Sequence, residues 1–264
     1  MKRCIVAADD YAYNAAVDDG ILALIDAGVV TATSCLTTSP RWPKAARRLG
    51  AAQRAKADIG VHIDLTEFER LAPNHLLLVA ASCARAIGRT KVRTLLTSQL
   101  QRFEDALGTA PDYIDGHRHV HQLPVIRDLL VELLATRYAG RLPWVRISRA
   151  RADAGAKGRL ITSLGADALA AGCACAGIAT NSHLIGLYDF TGNSQAYRTR
   201  AAAWLASAAD GDVLMCHPAS RLDGADRIAA SRVVEFQALS SPWWSACLAS
   251  HAVSPSRGAG CVTP

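Results

Sequence analysis

Short runs of apolar, often β-branched residues alternate along the chain with longer segments whose apolar residues recur every three or four positions. The first run covers residues 4–8 and ends in Asp9 and Asp10, which is the pattern of a buried parallel strand. Apolar residues then recur at helical spacing as far as Gly28, a residue suited to the end of a helix. The same order repeats, with strands predicted at 29–36, 59–65, 113–115, 144–147 and 213–216 and helices at 43–49, 92–107, 124–135 and 194–208.

The predicted fold class is α/β, because strands that alternate with helices form a parallel sheet with right-handed crossovers. About six such units in one domain favour a (β/α) barrel, distorted or incomplete, with parallel strands, although the pattern alone also fits an open sheet. No linker rich in proline, glycine or serine divides the 264 residues. We therefore predict a single domain over residues 1–264.

Polar residues that could carry chemistry fall at or just after the carboxyl ends of the predicted strands. In parallel α/β folds this edge of the sheet is where active sites are built. Chance placement would scatter such residues over both edges, so the clustering predicts a functional site. The residues are Asp9, Asp10, His62, Asp64, Asp115, His117, Arg146 and His217.

Composition excludes several other classes of protein. The net charge of +6 comes from arginines spread through the helices without interleaved aromatic residues, so nucleic acid is not an expected partner. Eight cysteines are scattered without a C-x-x-C pair, which predicts reduced, mostly buried thiols. The first apolar run is too short for a secretory signal, and none approaches the roughly 18 residues of a membrane span. We expect a cytoplasmic protein.

Asp9 and Asp10 form the first motif. Successive residues at a strand end point in different directions, so one carboxylate could bind a metal while the other acts as a general base. A pair of this kind also occurs as the N-terminal cap of a helix, and the sequence leaves both interpretations open.

Two further motifs contain histidines. In residues 60–65, the alternation places His62 and Asp64 on the same face of a strand, where His62 is either a metal ligand or a hydrogen-bonded core residue. In residues 115–121, three histidines at alternate positions follow Asp115 and a glycine. Neutral imidazole is the commonest metal ligand, and a neighbouring acid can fix its tautomer, so this segment indicates a metal site rather than a surface patch of histidines.

The fourth motif is the strand at 213–216 followed by His217 and Pro218. Proline restricts the preceding residue to an extended conformation, so the His217 ring is presented at the tip of the strand. A general acid would suit this place, and a structural histidine beside a turn is the alternative.

With these motifs in order, the chain resembles the YdjC-like family of carbohydrate deacetylases, also called the ChbG family after the chitooligosaccharide deacetylase. The family pattern consists of an N-A-D-D-F-G opening, G-x-H-x-x-L, D-x-H-x-H-x-H and C-H-P, and this chain matches it at 7–12, 60–65, 115–121 and 216–218. The opening departs from the pattern where this chain has alanine in place of the asparagine and of the glycine, the latter at Ala12. The resemblance is clearest over residues 3–240, while the segment 67–95 and the tail after Ser240 are atypical.

The resemblance implies roles for individual residues. Asp10, His62 and His117 would bind the metal and Asp9 would be the general base. His217 would be the general acid, and Arg146 would orient Asp9 or contact the substrate. The remaining polar residues of the motifs would support the ligands or contact the substrate, namely Asp64, Asp115, His119 and His121.

The function implied is that of a metal-dependent hydrolase that removes the N-acetyl group from an amino sugar or oligosaccharide. One divalent ion is expected, either Mg²⁺, as the family implies, or Zn²⁺, which two imidazoles suit better. The expected partner is an N-acetylated sugar, and a homodimer is left open. Two alternatives remain: a metal-dependent phosphoesterase or cyclic amidohydrolase on a related barrel, with further ligands such as His183, and a non-catalytic carbohydrate-binding barrel.

Overall fold

A parallel β-sheet organises the residues that the computed structural model describes, 1–152 and 154–263. The strands are β1 (Lys2–Tyr11), β2 (Ala32–Cys35), β3 (Asp58–Ile63), β4 (Tyr113–Gly116), β5 (Trp144–Val145), β6 (Leu184–Ile185), β7 (Asp212–Cys216) and β8 (Val253–Pro255). Their order in the sheet is β5-β4-β3-β2-β1-β7-β6, and β8 pairs with the first residues of β1. Each of these neighbouring pairs is parallel.

The two edges of this sheet approach each other. Val145 of β5 bridges Thr180, which precedes β6, and Ala150 bridges Leu184 within β6. These contacts are isolated bridges rather than a continuous ladder, so the curled sheet has one incomplete seam. The structure therefore confirms a distorted (β/α) barrel with parallel strands. The last residue of the predicted domain, Pro264, lies outside the described residues.

Helices connect successive strands. They are α1 (Ala15–Asp26), α2 (Trp42–Ala46), α3 (Ala51–Lys56), α4 (His75–Cys83), α5 (Arg89–Leu107), α6 (Ile126–Arg137), α7 (Gly155–Ser163), α8 (Ala166–Cys175), α9 (Ser194–Ser207), α10 (Ala229–Leu239) and α11 (Pro242–Ser250). Asn14 caps the start of α1, since its side chain accepts the N–H of Val17. Gly28 and Gly108, which follow α1 and α5, have φ of 72° and 67°, as expected where a helix ends.

Some predicted bounds were wrong for local reasons. The second strand starts at Ala32 instead of residue 29, because Val29 still donates its N–H to Leu24 in the turn that ends α1. Strand β5 ends at Val145 instead of residue 147, because Ile147 donates its N–H to the side chain of Asn181 rather than to a strand. The atypical segment 67–95 contains α4 and the start of α5.

The atypical C-terminal tail packs against the starts of the strands. Asp58, the first residue of β3, accepts the N–H of Gly258 over 2.7 Å and the Nε of Arg257 over 2.7 Å. The indole Nε1 of Trp144 lies 3.2 Å from the same carboxylate. A Cβ at Gly258 would lie only 2.2 Å from this indole nitrogen. The tail therefore closes the edge of the sheet opposite the strand carboxyl ends, which gives it a structural role.

Two further features of the described residues concern the cysteines and the helices. The eight cysteines are free thiols, with Cys83 and Cys175 exposed and the others buried. Among the described helices, none combines the length and apolar character needed to cross a bilayer.

Candidate metal centre and active site

Strand β1 ends in a bulge that separates two successive carboxylates. The pairing of β1 with β2 shifts in register between Ala8 and Tyr11, and Asp10 within this interval has φ of 70°. This left-handed conformation is uncommon outside glycine, although aspartate adopts it more readily than most residues. As a result Asp9 and Asp10 make different contacts, although both are buried.

Ala12 occupies a backbone conformation that favours glycine. Its φ is 75°, its N–H donates to Asp18 over 2.7 Å, and its carbonyl accepts the Ser39 hydroxyl over 2.7 Å. The glycine of the family pattern at this position thus has a conformational reason, and here the surrounding hydrogen bonds hold an alanine in its place.

Asp10, His62 and His117 form a group that could hold a metal ion. The Oδ1 of Asp10 lies 3.0 Å from Nδ1 of His117 and 3.4 Å from Nε2 of His62. One donor atom from each residue lies within 4.8 Å of the other two. The three come from the ends of β1 and β3 and from the turn after β4, so the parallel arrangement of the strands brings them together.

The other ring nitrogen of His62 is held by neighbouring side chains. Its Nδ1 lies 2.6 Å from Oδ1 of Asp115 and 3.0 Å from the hydroxyl of Ser34. A carboxylate behind a ligating histidine fixes its tautomer and directs the free nitrogen toward the metal. Burial lowers the pKa of His62, but Asp115, Asp10 and Asp9 outweigh it and raise this pKa to about 10. The carboxylates around His62 thus favour a positive charge at the position of its ring.

The charges of the site fit a divalent cation. Four buried carboxylates form ion pairs with two buried guanidinium groups here, which leaves an excess of two negative charges when the imidazoles are neutral, as metal ligands are. An excess of this size, with one oxygen and two nitrogen donors, suits one divalent ion. The charged residues are Asp9, Asp10, Asp115, Asp226, Arg146 and Arg232.

Asp9 is paired with a fully buried arginine. Arg146 donates from Nη1 and Nη2 to the two oxygens of Asp9 and lies 3.0 Å from Asp115. Burial raises the pKa of Asp9, but Arg146 and His62 outweigh it and lower this pKa to about 2. Asp9 is therefore ionised throughout the neutral range.

Asp9 also lies beside His217, which follows strand β7. The Nε2 of His217 is 3.8 Å from Oδ2 of Asp9, and its ring meets the Phe190 ring edge-on with centroids 5.0 Å apart. The backbone N–H of His217 donates to Glu235 over 2.6 Å. Burial lowers the pKa of His217 to about 4, against the opposing effect of Asp9 and Asp10.

The other two histidines of the 115–121 motif point elsewhere. They lie in a 3₁₀ segment, His117–Gln122, in which Arg118 and His119 have left-handed φ of 53° and 61°. His119 contacts the Ser148 hydroxyl over 2.9 Å, and His121 contacts the carbonyl of Arg146 over 2.7 Å. Burial lowers the pKa of both histidines, in His121 to about 4. The turn thus directs only the first of the three rings toward Asp10.

Asp64 organises a loop. Its two oxygens accept the backbone N–H groups of residues 66–69 and the hydroxyl of Thr38. Its backbone N–H donates to Gln99 over 2.9 Å. The candidate metal group does not include Asp64.

Sequence reasoning missed the contribution of helix α10. Arg232 donates to Asp10 over 2.7 Å and to Asp226 over 2.6 Å, and Glu235 accepts the N–H of His217 and the Tyr188 hydroxyl. In the sequence, arginine and glutamate three residues apart on a helix suggest an exposed ion pair. Their burial follows only from the position of α10 beside the site.

A profile of the YdjC-like protein family matches residues 3–250. The carbohydrate deacetylase of Mus musculus is 32% identical over 148 residues, which are 50% of this chain and 47% of that protein. The carbohydrate deacetylase of Geobacillus stearothermophilus is 34% identical over 157 residues, which are 57% of this chain and 62% of that protein. The chain therefore matches about half to three fifths of the length of these relatives.

Two solved structures share the fold. A protein from Enterococcus faecalis V583, provisionally described as a cellobiose-phosphate cleavage protein, matches over 98% of both chains with 20% identity and a TM-score of 0.69. A family 4 acetyl xylan esterase from Clostridium thermocellum, in complex with a cobalt ion, matches 97% of this chain and 88% of its own with 10% identity and a TM-score of 0.53. At these identities the likeness concerns the fold.

Proposed function

Since this chain belongs to the YdjC-like protein family, we propose that it is a metal-dependent hydrolase that removes the N-acetyl group from an amino sugar or oligosaccharide. The observation that carries the proposal is that a group of metal donors, Asp10, His62 and His117, adjoins a second carboxylate, Asp9, and a histidine, His217. The names of the mouse and Geobacillus relatives support the substrate class.

One divalent ion would be held by Oδ1 of Asp10, Nε2 of His62 and Nδ1 of His117. Three protein ligands leave coordination positions open, as in catalytic rather than structural sites. Two imidazoles suit Zn²⁺ or a similar transition ion better than Mg²⁺, which prefers oxygen ligands, so Zn²⁺ and Mg²⁺ are both to be tested. The cobalt ion of the Clostridium esterase supports a divalent ion on this fold.

The reaction breaks the amide C–N bond and yields acetate and a free amine. A bound ion would polarise the acetyl carbonyl and acidify water. Asp9, kept ionised by Arg146, would accept a proton from the attacking water as general base. His217 would donate a proton to the departing amine, without which the amine is a poor leaving group.

The depressed pKa of His217 would require it to gain a proton before it donates one. With a pKa of about 4 its imidazole is neutral at neutral pH before the reaction. His217 must therefore first receive, within the site, the proton that it delivers. Asp9 could supply it, because its Oδ2 lies 3.8 Å from Nε2 of His217. In this scheme Asp9 would take a proton from water and pass it to His217, which would then donate it to the departing amine.

The remaining motif residues would position these groups. Asp115 would fix the tautomer of His62, and His121 would hold the backbone at Arg146. Asp64 would shape the loop 66–69, and His119 would lie beside the substrate with Ser148 as its partner.

The alternative functions have less support. A two-metal phosphoesterase or amidohydrolase needs a second set of ligands, but His183 lies beside Asp212 at the start of β7, on the edge opposite His217. Residues 1–152 and 154–263 contain one other candidate metal group, Asp9, His62 and Asp115. Its two carboxylates are already paired with Arg146, which does not favour a second cation there. A non-catalytic sugar-binding barrel would not need Asp9, Arg146 and His217 in contact.

Acetate release tests the proposal directly. The protein would be incubated with N-acetylglucosamine, N,N'-diacetylchitobiose and a 6-phosphorylated N-acetylglucosamine, before and after chelation and with Zn²⁺ or Mg²⁺ restored. We expect the wild type to release acetate from at least one sugar in a metal-dependent way, and Asp9→Asn to release it about 10² to 10⁴-fold more slowly. Binding of the sugars without acetate release at any metal would favour the carbohydrate-binding alternative, and hydrolysis of the phosphate ester alone would favour the phosphoesterase.

A further inference from the structure

A buried arginine on helix α10 contacts a candidate metal ligand. Arg232 is 2% exposed and lies between two carboxylates. Its Nη2 donates to Oδ2 of Asp10 over 2.7 Å and its Nε to Oδ2 of Asp226 over 2.6 Å. Its guanidinium carbon lies 5.3 Å from the centre of the Tyr13 ring. Contacts on three sides fix the orientation of the guanidinium plane.

The two oxygens of Asp10 are thereby assigned to different partners. Oδ1 faces Nδ1 of His117 and Nε2 of His62, at 3.0 and 3.4 Å. Oδ2 is turned to Arg232. An aspartate without such a partner can bind a metal through one oxygen or through both, since each carboxylate oxygen carries available lone pairs.

We propose that Arg232, anchored by Asp226, is a positioning residue that restricts Asp10 to binding the metal through Oδ1 alone. This inference rests on the metal site of the proposed function and adds a determinant of its coordination. Binding through one oxygen leaves a coordination position free that a two-oxygen contact would occupy. A hydrolase needs such positions for water and for the carbonyl of its substrate.

The positive charge of Arg232 has a second consequence for the metal site. Its positive charge partly neutralises Asp10, so the metal would remain less neutralised by its ligands and more electrophilic. A lysine at this position would also carry the charge, but as a point charge it could not contact both Asp10 and Asp226 in the forked geometry of arginine. Comparing lysine with an uncharged residue at position 232 therefore separates the effect of the charge from that of the forked geometry.

The test is X-ray absorption spectroscopy of the Zn²⁺-loaded and Co²⁺-loaded protein, which reports the number of ligands and whether a carboxylate binds through one oxygen or two. In the wild type we expect one-oxygen binding. In Arg232→Met we expect two-oxygen binding and a changed visible spectrum of bound Co²⁺. Arg232→Lys should restore the wild-type mode in part, and Arg221→Met, which removes an exposed partner of Asp19, should leave it unchanged.

Each outcome bears on the inference. One-oxygen binding in a folded, metal-loaded Arg232→Met protein would overturn it, as would two-oxygen binding in the wild type. If Arg232→Met does not fold, Asp226→Ala, which keeps the arginine but removes its anchor, should shift the coordination in the same direction, and an unchanged spectrum there would also overturn it. Because acetate release is not the readout, a wild type that binds metal but has no deacetylase activity would refute the proposed function and leave this test intact.

Discussion

Arg146 donates from two nitrogens to the two oxygens of Asp9, over 2.5 and 2.8 Å. Such a forked pair fixes both the charge and the orientation of the carboxylate. Asp10, the next residue, has its own arginine, Arg232, and lies beside the two histidines of the candidate metal group. The two adjacent carboxylates are thus held in separate environments, which supports separate roles for them.

The first prediction follows from that separation. Asp9→Asn should keep the metal, because the ligand set is untouched, while turnover should fall by about 10² to 10⁴-fold, because an amide cannot accept the proton of water. Asp10→Asn should weaken metal binding first, so that excess metal restores part of its activity. Metal content and acetate release, measured on both variants, distinguish the roles, and near wild-type turnover in Asp9→Asn would remove it from the proposed mechanism.

The second prediction concerns the three histidines of the 3₁₀ segment. His117→Ala should lose most of the bound metal, because Nδ1 of His117 lies beside Oδ1 of Asp10. His121→Ala should retain it, because that ring contacts the carbonyl of Arg146 instead. Elemental analysis of the two purified variants gives the answer, and the reverse pattern would mean that the turn rearranges when metal binds.

Gly116 provides a third prediction. A Cβ at this position would lie 2.8 Å from Nδ1 and 3.0 Å from Cβ and backbone N of His121. Gly116→Ala should therefore displace the turn, lower the free energy of unfolding by about 1 to 3 kcal/mol and weaken metal binding. Gly140→Ala is the matched control, since a Cβ there meets nothing within 4 Å. Equal unfolding and metal affinity in both variants would show that the turn tolerates the extra methyl group.

The positions of the candidate ligands could be predicted from the sequence because strands are locally encoded. The apolar run before Asp10 and the alternation around His62 predicted two strands, and the order of a parallel fold brings their carboxyl ends to one edge. The choice of Asp10, His62 and His117 as ligands came from the family resemblance. The direction of the His119 and His121 rings could not be predicted. It depends on left-handed φ at Arg118 and His119, which break the two-residue period on which the sequence pattern relied.

The supporting residues of α10 could not be predicted for a different reason. Arg232 and Asp10 are 222 residues apart in the sequence. Glu235 and His217 are brought together by the packing of α10, and no sequence pattern links them. A buried arginine or glutamate is recognisable only once its partner is in place, because either alone would carry a large desolvation penalty. Long-range ion pairing of this kind leaves no periodic signal.

The last prediction concerns the pH dependence of stability, and it depends on Glu235. This side chain is 1% exposed and accepts the Tyr188 hydroxyl and the N–H of His217, each over 2.6 Å. Burial raises its pKa from 4.5 to about 7, with a further increase from Asp9, while Tyr188, His217 and Arg232 oppose the shift. Between these two values the folded protein holds a proton that the unfolded chain has released.

The sign of the effect follows from that difference in bound protons. The contribution of Glu235 to stability is fully present below pH 4.5 and decreases as the pH rises to about 7, by at most about 1.4 kcal/mol per pH unit. Glu235→Gln is neutral at every pH and can still accept the His217 N–H and contact Tyr188. The stability of this variant relative to wild type should therefore rise between pH 5 and 7 and level off above pH 7.

Denaturant unfolding across that pH range measures the difference in stability, with Glu132→Gln, which changes an exposed partner of Arg93, as the control. Parallel pH profiles for wild type and Glu235→Gln would mean that Glu235 stays ionised in the folded protein, held so by Arg232 and its two hydrogen-bond donors.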